Sequence, residues 1–564
     1  MQPSFYLATC LLFLSPSLQP AIYNPVDIPW YSEPCIALLF AIFFFFKLQR
    51  QNIEIHSLFL TLLLLGASPI LLNFSFFDQQ LFYMAFIMAL MALATVGYNL
   101  NERQIIQLFH AFILAAYIWA LTALIVWLGF THGEVLSLGD WALSTAKGIK
   151  INGPFANGNV FALMMLCAWV ISLWFWLTNK HMLKNIWLLH ITFFWMMAFL
   201  ALARGAWLAH LLPLLIVLMI SYKRKDWNRI VLLGASGSVA IFISIGVNHM
   251  QGGALQFKQQ INGMNAVGQR PLLYASIYEI WRDNQWEGVG YGKIQKHYLT
   301  AQAEVSERYD FHMAGLDMTT YGHNTVLHLM AEAGVLGIII SALVMYFLLF
   351  FFLKKSLCLE SIMWPVIMIL CMLWIQSLIN ITLTRPFPML FFALIFGVAL
   401  KSIAWRKDLI IKVPRKAIIL PIFFAVFVLS SLAVTETTAW KNFTYWYTTD
   451  DMVIKKELLH PLLENHTTMP FVVSATGQDM LSRGLMGTYG AGLLPEIKKA
   501  LEIHESKILY ISLFFSQVSS ENLEAACATG EFIIQQHWEN DVNEHFYHAA
   551  CNGKLDVNTF QVYE

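Results

Sequence analysis

Charge is what this sequence has least of. Only 12% of its 564 residues are charged, about half the share of a soluble globular chain, which excludes a single soluble domain. Lys plus Arg and Asp plus Glu number 35 each and the formal net charge is zero, so total charge gives no reason to expect a nucleic-acid partner. The seven cysteines include no CxxC pair, and no His-rich metal spacing accompanies them, so there is no metal motif to argue from. Cys10, Cys35, Cys167, Cys358 and Cys371 lie in or beside apolar runs and read as small core residues. The first residues lack the Lys/Arg region of a secretory signal, and Leu7 to Leu14 are assigned to a first span. Low-complexity segments and convincing repeats are also missing.

What is abundant is apolar surface: 58% of residues are hydrophobic and 15% aromatic, with a mean hydropathy of +0.59. Thirteen apolar segments can be marked, at about 4–21, 34–46, 55–74, 81–98, 105–130, 156–178, 186–203, 206–221, 230–247, 335–353, 362–380, 386–404 and 417–435. The expected fold is an all-α polytopic membrane protein with about 13 transmembrane helices. One set of alternate loops holds seventeen Lys and Arg, among them Lys47, Arg103, Lys223, Lys354 and Lys401, whereas the other short loops hold only Lys147, Lys150, Arg204 and Arg385. The positive-inside rule makes the basic set cytoplasmic and the N-terminus internal. The chain then divides into N-terminal spans (1–247), a large exterior loop (248–334), C-terminal spans (335–435) and an exterior tail (436–564). The tail has helix-period stretches such as Glu521 to Trp538 and reads as a small helical domain. Outside the reducing cytosol, its Cys527 and Cys551 either form a disulfide or stay as two buried thiols.

Against that charge bias, three outward arginines stand out. Arg204 sits in a tight turn between two spans, Arg270 starts an amphipathic segment whose apolar face is Leu272, Leu273, Ser276, Ile277, Ile280 and Trp281, and Arg385 heads another span. Each alone reads equally well as a side chain snorkelling to lipid phosphates. Together, at one depth, they fit a site for a polyanion, because the planar guanidinium matches phosphate oxygens and keeps its charge near lipid. His323 lies at the same depth, just ahead of the span beginning at Val335, and is the candidate proton acceptor. His249, His297, His312 and His328 show that histidine is common in this loop. Glu332, nine residues on from His323, is out of phase with it on a helix and reads as an anchor for the helix end before Gly334. Gly288, Gly290 and Gly292 predict a tight turn and not a dinucleotide loop, because the spacing and flanking elements are wrong.

His323-Asn324 with Glu332-x-Gly334-x-x-Gly337, after a long exterior loop, resembles the O-antigen ligase/polymerase superfamily of bacterial inner-membrane glycosyltransferases. Three further stretches agree. Asn152-Gly153-Pro154-Phe155-Ala156-Asn157-Gly158-Asn159 is similar to the family's glycine-to-asparagine start of a span. Ala203-Arg204-Gly205-Ala206-Trp207 is similar to its Ser-Arg-Gly-Ala turn, with Ala203 in place of Ser. Arg270, Trp281 and Glu287-Gly288-Val289-Gly290 are similar to its Arg…Trp…Pro-x-Gly-x-Gly segment without the Pro. The likeness covers roughly residues 150–400. Asn380 to Pro388, continuing to Gly397, resembles a segment of the PglL-type protein O-oligosaccharyltransferases, with Asn380, Thr384 and Arg385 standing where that type has His, Glu and Tyr.

The resemblance implies an inverting transfer that needs neither metal nor other cofactor. A glycan preassembled on undecaprenyl pyrophosphate would pass en bloc, at the periplasmic face of the inner membrane, to an acceptor hydroxyl: a Ser or Thr of an exported protein such as type IV pilin. His323 would act as general base, with Arg204 and Arg270 stabilising the leaving pyrophosphate. Arg385, Asn324, Asn159 and Glu332 would bind substrate, and membrane lipid would surround the spans. The same chemistry with a different acceptor would make the protein an O-antigen ligase acting on lipid A-core, or a polymerase. The reading outside this class is a polyprenyl-linked glycan transporter, for which inverted repeats and mid-bilayer charge would be expected; the mid-span ionisable groups are mainly His110, His190 and His210.

Overall fold

The computed structural model describes residues 3–20, 32–48, 52–72, 77–129, 134–138, 141–144, 151–155, 157–178, 185–250, 269–309, 322–355, 358–380, 382–401, 410–448, 452–464, 468–482, 486–503, 506–535 and 551–552. Lys147, Lys150, Lys180, Lys184 and His312 lie outside them. Each of the thirteen apolar runs contains one helix: α1 (Pro3–Leu14), α2 (Ser32–Lys47), α3 (Ser57–Leu72), α4 (Phe77–Asn99), α5 (Glu102–Trp127), α6 (Gly158–Thr178), α7 (Ile186–Leu200), α8 (Arg204–Lys223) and α9 (Trp227–Met250). Then, after the described helices of the long loop, α10 (Gln269–Asp283) and α11 (Ile294–Tyr309), come α12 (Thr325–Lys355), α13 (Met363–Ser377), α14 (Pro386–Lys401) and α15 (Arg415–Thr448). Among the described residues seven of these helices are long and apolar enough to cross a membrane, and α7, α13 and α14 are shorter apolar ones. This is an all-α polytopic membrane protein.

Burial sorts the helices as their patterns require. α6 is apolar on every side and is buried along almost its whole length, Trp169 included, as a helix without a polar face must be. α9 and α15 instead expose Val231, Phe242, Phe424 and Phe427, the surface a lipid tail would cover. Between lipid-facing helices apolar burial gives little driving force, and close backbone approach takes over. α4 and α14 cross in this way. A Cβ added to Gly97 would lie 2.1 Å from the Leu394 carbonyl oxygen, and one added to Gly397 would lie 2.0 Å from that of Ala94.

Sequence periodicity predicts no strands, and the structure adds five short ones among the described residues. β1 (Leu18–Pro20), β3 (Glu134–Leu138) and β4 (Trp141–Ser144) form an antiparallel sheet in the order β1-β4-β3. β2 (Asn52–His56) pairs antiparallel with β5 (Ile410–Pro414), Asn52 opposite Pro414. The β2–β5 ladder lies on the face where the basic loops meet. Beside it the Lys401 ammonium donates to the Leu100 carbonyl and Arg415 donates to Leu48 O at 3.2 Å; in another basic turn Arg224 pairs with Glu360 at 3.3 Å.

Past residue 435, α15 continues unbroken to Thr448, and among the described residues five further helices follow: α16 (Met452–Glu464), α17 (Met469–Ser482), α18 (Met486–Ile503), α19 (Lys507–Ser519) and α20 (Leu523–Gln535). A disulfide joins Cys527, on α20, to Cys551. These helices also share a core with the long loop. Ile511, Phe514, Phe515 and Val518 of α19 and Ala526 and Ile533 of α20 pack with Leu273, Ile277 and Ile280 of α10, Ile294, Tyr298 and Leu299 of α11, and Ala331 of α12.

Candidate active site

The site is organised around the turn that ends α13. Gln376, an amide in an otherwise apolar helix, is fully buried and donates from Nε2 to the Asn159 carbonyl at 2.8 Å. The Leu378 carbonyl accepts from Asn324 Nδ2 at 2.8 Å. Ile379 packs on Gly205, where an added Cβ would lie 3.0 Å from its Cδ1. The first turns of α6, α8 and α12 are thereby gathered at one place. Each brings the positive end of a helix dipole, so the locality favours an anion.

Capping differs among the three helix ends. Asn157 Oδ1 accepts from the amides of Asn159 (2.9 Å) and Val160 (3.3 Å). Asn324 Oδ1 accepts from Val326 (2.9 Å) and Leu327 (3.1 Å). α8 has no side-chain cap, because Ala203 carries no oxygen, and its first residue is the exposed Arg204. A cation there opposes the dipole. Two residues before it the backbone is left-handed at Leu202, φ 51°, a conformation unusual for so bulky a residue.

His323 shows a second such outlier, with φ 49°. It is half-buried, and its carbonyl accepts from the Tyr274 hydroxyl at 3.3 Å. Tyr274 stands one turn along α10 from the exposed Arg270. Burial raises its phenol pKa, and the Arg270 charge partly offsets this. Tyr274 thus stands between Arg270, one turn before it on α10, and the His323 carbonyl.

The glycine-rich segment forms the predicted turn, with φ of 69°, 92° and 74° at Gly288, Gly290 and Gly292. It lies on the end of the first part of α12. Val289 N donates to Ala331 O and Gly290 N to Glu332 O, both at 2.9 Å. Glu332, 3% exposed, accepts from Gly292 N on Oε1 at 2.7 Å and meets His328 Nε2 with Oε2 at 3.2 Å. The backbones touch, so side chains are excluded on both sides. A Cβ at Gly288 would come 2.4 Å from the Glu332 carbonyl, and one at Gly334, φ 58°, would come 2.4 Å from Trp286 O. At Gly334 α12 kinks before entering its apolar run. Tyr291 packs against Tyr83 of α4, ring centroids 5.5 Å apart; burial, then Glu332, raises its phenol pKa.

Arg385 differs from the other two arginines in being buried. It follows a single 3₁₀ turn, Thr382–Thr384, and leads into α14. Its charge acts on Glu33, a buried carboxylate in the first turn of α2 that also accepts from the Phe387 amide. The structure therefore brings Asn159, Arg204 and Asn324 to one turn, sets His323 beside them and joins Arg270 through Tyr274. Glu332 faces the chain's own glycine turn, as an anchor would, and Arg385 lies within the protein near Glu33.

Tyr274, Gln376, Glu33 and the pairing of His328 were missed by sequence reasoning. Gln376 and Glu33 carried a signal, each being a polar group in or beside an apolar run; Tyr274 and the role of His328 carried none. Among the described residues two groups have metal-ligand proximity, Cys527 with Glu531 and Cys551, and Glu279 with Asp283 and Glu304. The first contains the disulfide, and in the second Glu279 is already paired with Arg282 and Arg308.

Residues 188–342 match the family model described as O-antigen ligase. Among curated proteins no match is found. The matched segment runs from α7 into α12 and contains Arg204, Arg270, His323, Asn324, His328 and Glu332; Asn159, Gln376 and Arg385 fall outside it. The match supports a glycan-transferring activity of the ligase or polymerase kind, with a polyprenyl-linked glycan as donor. The match of residues 188–342 supports membership of the O-antigen ligase superfamily.

Proposed function

We propose that this protein is an O-oligosaccharyltransferase of the bacterial inner membrane, its site facing the periplasm. It would move a preassembled glycan from undecaprenyl pyrophosphate to Ser or Thr hydroxyls of exported proteins, type IV pilin among them. The observation that carries the reading is the gathering of three helix amino-termini, Arg204 and the His323–Asn324 pair at the α13 turn, with Arg270 one tyrosine away. His323 takes the proton of the acceptor hydroxyl, a task typically worth roughly 10²–10⁴-fold. The acceptor oxygen attacks the anomeric carbon with inversion, and the bond from that carbon to the pyrophosphate oxygen breaks. Arg204, Arg270 and the helix ends receive the charge that grows on the leaving pyrophosphate. The lipid tail lies along the apolar helices.

A protein acceptor is favoured by the helical region after residue 448, whose α19 and α20 share a core with the loop that carries Arg270 and Glu332. The second reading, an O-antigen ligase acting on lipid A-core, is favoured by the description of the matching family. A transporter finds less support. His210 Nε2 accepts from Trp195 Nε1 at 2.8 Å, His190 bonds the Tyr117 hydroxyl at 3.0 Å, and His110 stacks on Phe175, so the interior histidines are taken up by packing.

The test compares a deletion strain with its complemented pair, using intact masses of exported proteins together with a gel of lipopolysaccharide. Loss of a glycan mass from protein, with an unchanged ladder, is the expected result. Loss of the ladder with unchanged protein masses moves the assignment to the O-antigen ligase. If neither changes in cells that make the lipid-linked glycan, the transferase reading is wrong.

A further inference from the structure

We propose that His328 is a positioning residue, held by Glu332, that fixes the backbone on which His323 is presented. The inference rests on the transferase reading for its consequence in rate, and on geometry alone for its effect on order.

Three observations carry it. His328 is buried in the first turns of α12, and its Nδ1 accepts the Gly322 amide proton at 3.4 Å. An Nδ1 that accepts must be unprotonated, so the ring proton sits on Nε2, the nitrogen that faces Glu332 Oε2 at 3.2 Å. Glu332 is itself fixed, because its other oxygen holds Gly292 N at 2.7 Å and its carbonyl holds Gly290 N at 2.9 Å. The chain of bonds runs from the glycine turn through Glu332 and His328 to Gly322, the residue bonded to His323. On the other side the Tyr274 hydroxyl holds the His323 carbonyl. His323 has a left-handed backbone, φ 49°, a conformation that persists where the surroundings determine it. Gly322 fits the arrangement closely: a Cβ there would already touch the His328 backbone and Cβ at 3.4 Å.

The carboxylate selects the tautomer, and the tautomer selects the turn. An imidazole protonated on Nδ1 would present a second donor to the Gly322 amide and release it. His328 therefore acts through His323 and not on the substrate.

The experiment uses the full-length protein in lipid nanodiscs. It measures transfer kinetics with lipid-linked glycan and, separately, amide exchange of peptides covering residues 322–330. His328→Ala is expected to lower kcat roughly 10²-fold, the loss a displacement of about 1 Å can cause. It should leave KM for the lipid-linked glycan within about twofold, and exchange at 322–327 should quicken. His328→Asn places an oxygen where Nδ1 stood, and is expected to restore slow exchange and most of kcat. Glu332→Gln presents an amide to Nε2, favours the wrong tautomer and should resemble His328→Ala. Exchange in His328→Ala identical to wild type overturns the proposal, as does a His328→Asn variant no better ordered and no faster than His328→Ala. If His323→Ala transfers normally, the transferase reading of the site fails; the exchange measurements then still decide whether His328 orders the turn.

Discussion

His323→Ala removes the proposed proton acceptor while leaving the Tyr274 and Gly322 bonds to the backbone in place. Transfer should fall roughly 10²–10⁴-fold, with membrane insertion and yield unchanged in a detergent-extracted preparation. Arg204 and Arg270 call for a different comparison. Each Arg→Ala should lower kcat roughly 10²–10³-fold, the range for losing one donor to a developing oxyanion. Arg→Lys keeps the charge without the fork and should recover part of the loss; equal loss in both would point to packing. His297 offers a titration. Burial first, then Lys296 and Lys293, hold its pKa below the ordinary value. The unfolded chain therefore binds a proton at a pH where the folded chain does not. The neutral folded form is favoured above about pH 6.5, and stability is lost as pH falls from there towards the folded value. Amide exchange of α11 should quicken on acidification through that range, and His297→Gln should flatten the response. At this scale the sequence exposed what ran against a bias: Arg204, Arg270 and His323 were visible as polar groups on the side short of basic residues. Tyr274 and His328 looked ordinary, since nothing local records that a tyrosine 49 residues upstream bonds the His323 carbonyl.

Elements meet here through glycine, and two contacts give opposite lessons. Gly288-Val289-Gly290-Tyr291-Gly292 was legible as a turn, because three alternate glycines have few other uses. What the turn rests on was not legible, since Gly334 and Glu332 lie 40 residues or more away and meet it only in the fold. Gly334→Ala adds a Cβ at φ 58° and 2.4 Å from Trp286 O; both the strain and the clash detach the turn from α12. Limited proteolysis should cut near residue 287 in this variant and spare the wild type. Gly97 and Gly397 are 300 residues apart, and nothing in either run announces its partner. Gly97→Ala would place a Cβ 2.1 Å from Leu394 O, which forces α4 and α14 apart at a typical cost of about 1–3 kcal/mol. A lower thermal midpoint, with KM for the lipid-linked glycan unaltered, is the expected result. The helices themselves were legible because thirteen runs of apolar residues leave one structure available in lipid. The five short strands were not, because three to five residues carry too little periodicity.

At the scale of the molecule, the tail and the long loop form one packed unit, so removing the tail cannot isolate its role: it would uncover Leu273, Ile277, Ile280 and Tyr298 together. A finer probe is Phe514→Asp, which puts a charge at a fully buried position of that core. It should undock α19 from α10 and α11 and abolish transfer while the spans stay inserted; retained transfer would separate the tail from the site. Reducing the Cys527–Cys551 bond, whose partners are 24 residues apart, should destabilise the tail by roughly 3 kcal/mol, read as earlier unfolding in the presence of reductant. The β2–β5 ladder has a consequence of another kind, in time. Asn52–His56 cannot pair until Ile410–Pro414 exist, and α4 likewise waits for the glycine of α14. At a synthesis rate of 5–20 residues per second, the roughly 350 residues between the strands keep the first part of the bundle open for about 20–70 s. A nascent chain of this protein therefore spends most of its time at the ribosome with an unpaired strand edge on its basic face, awaiting the segment that locks it.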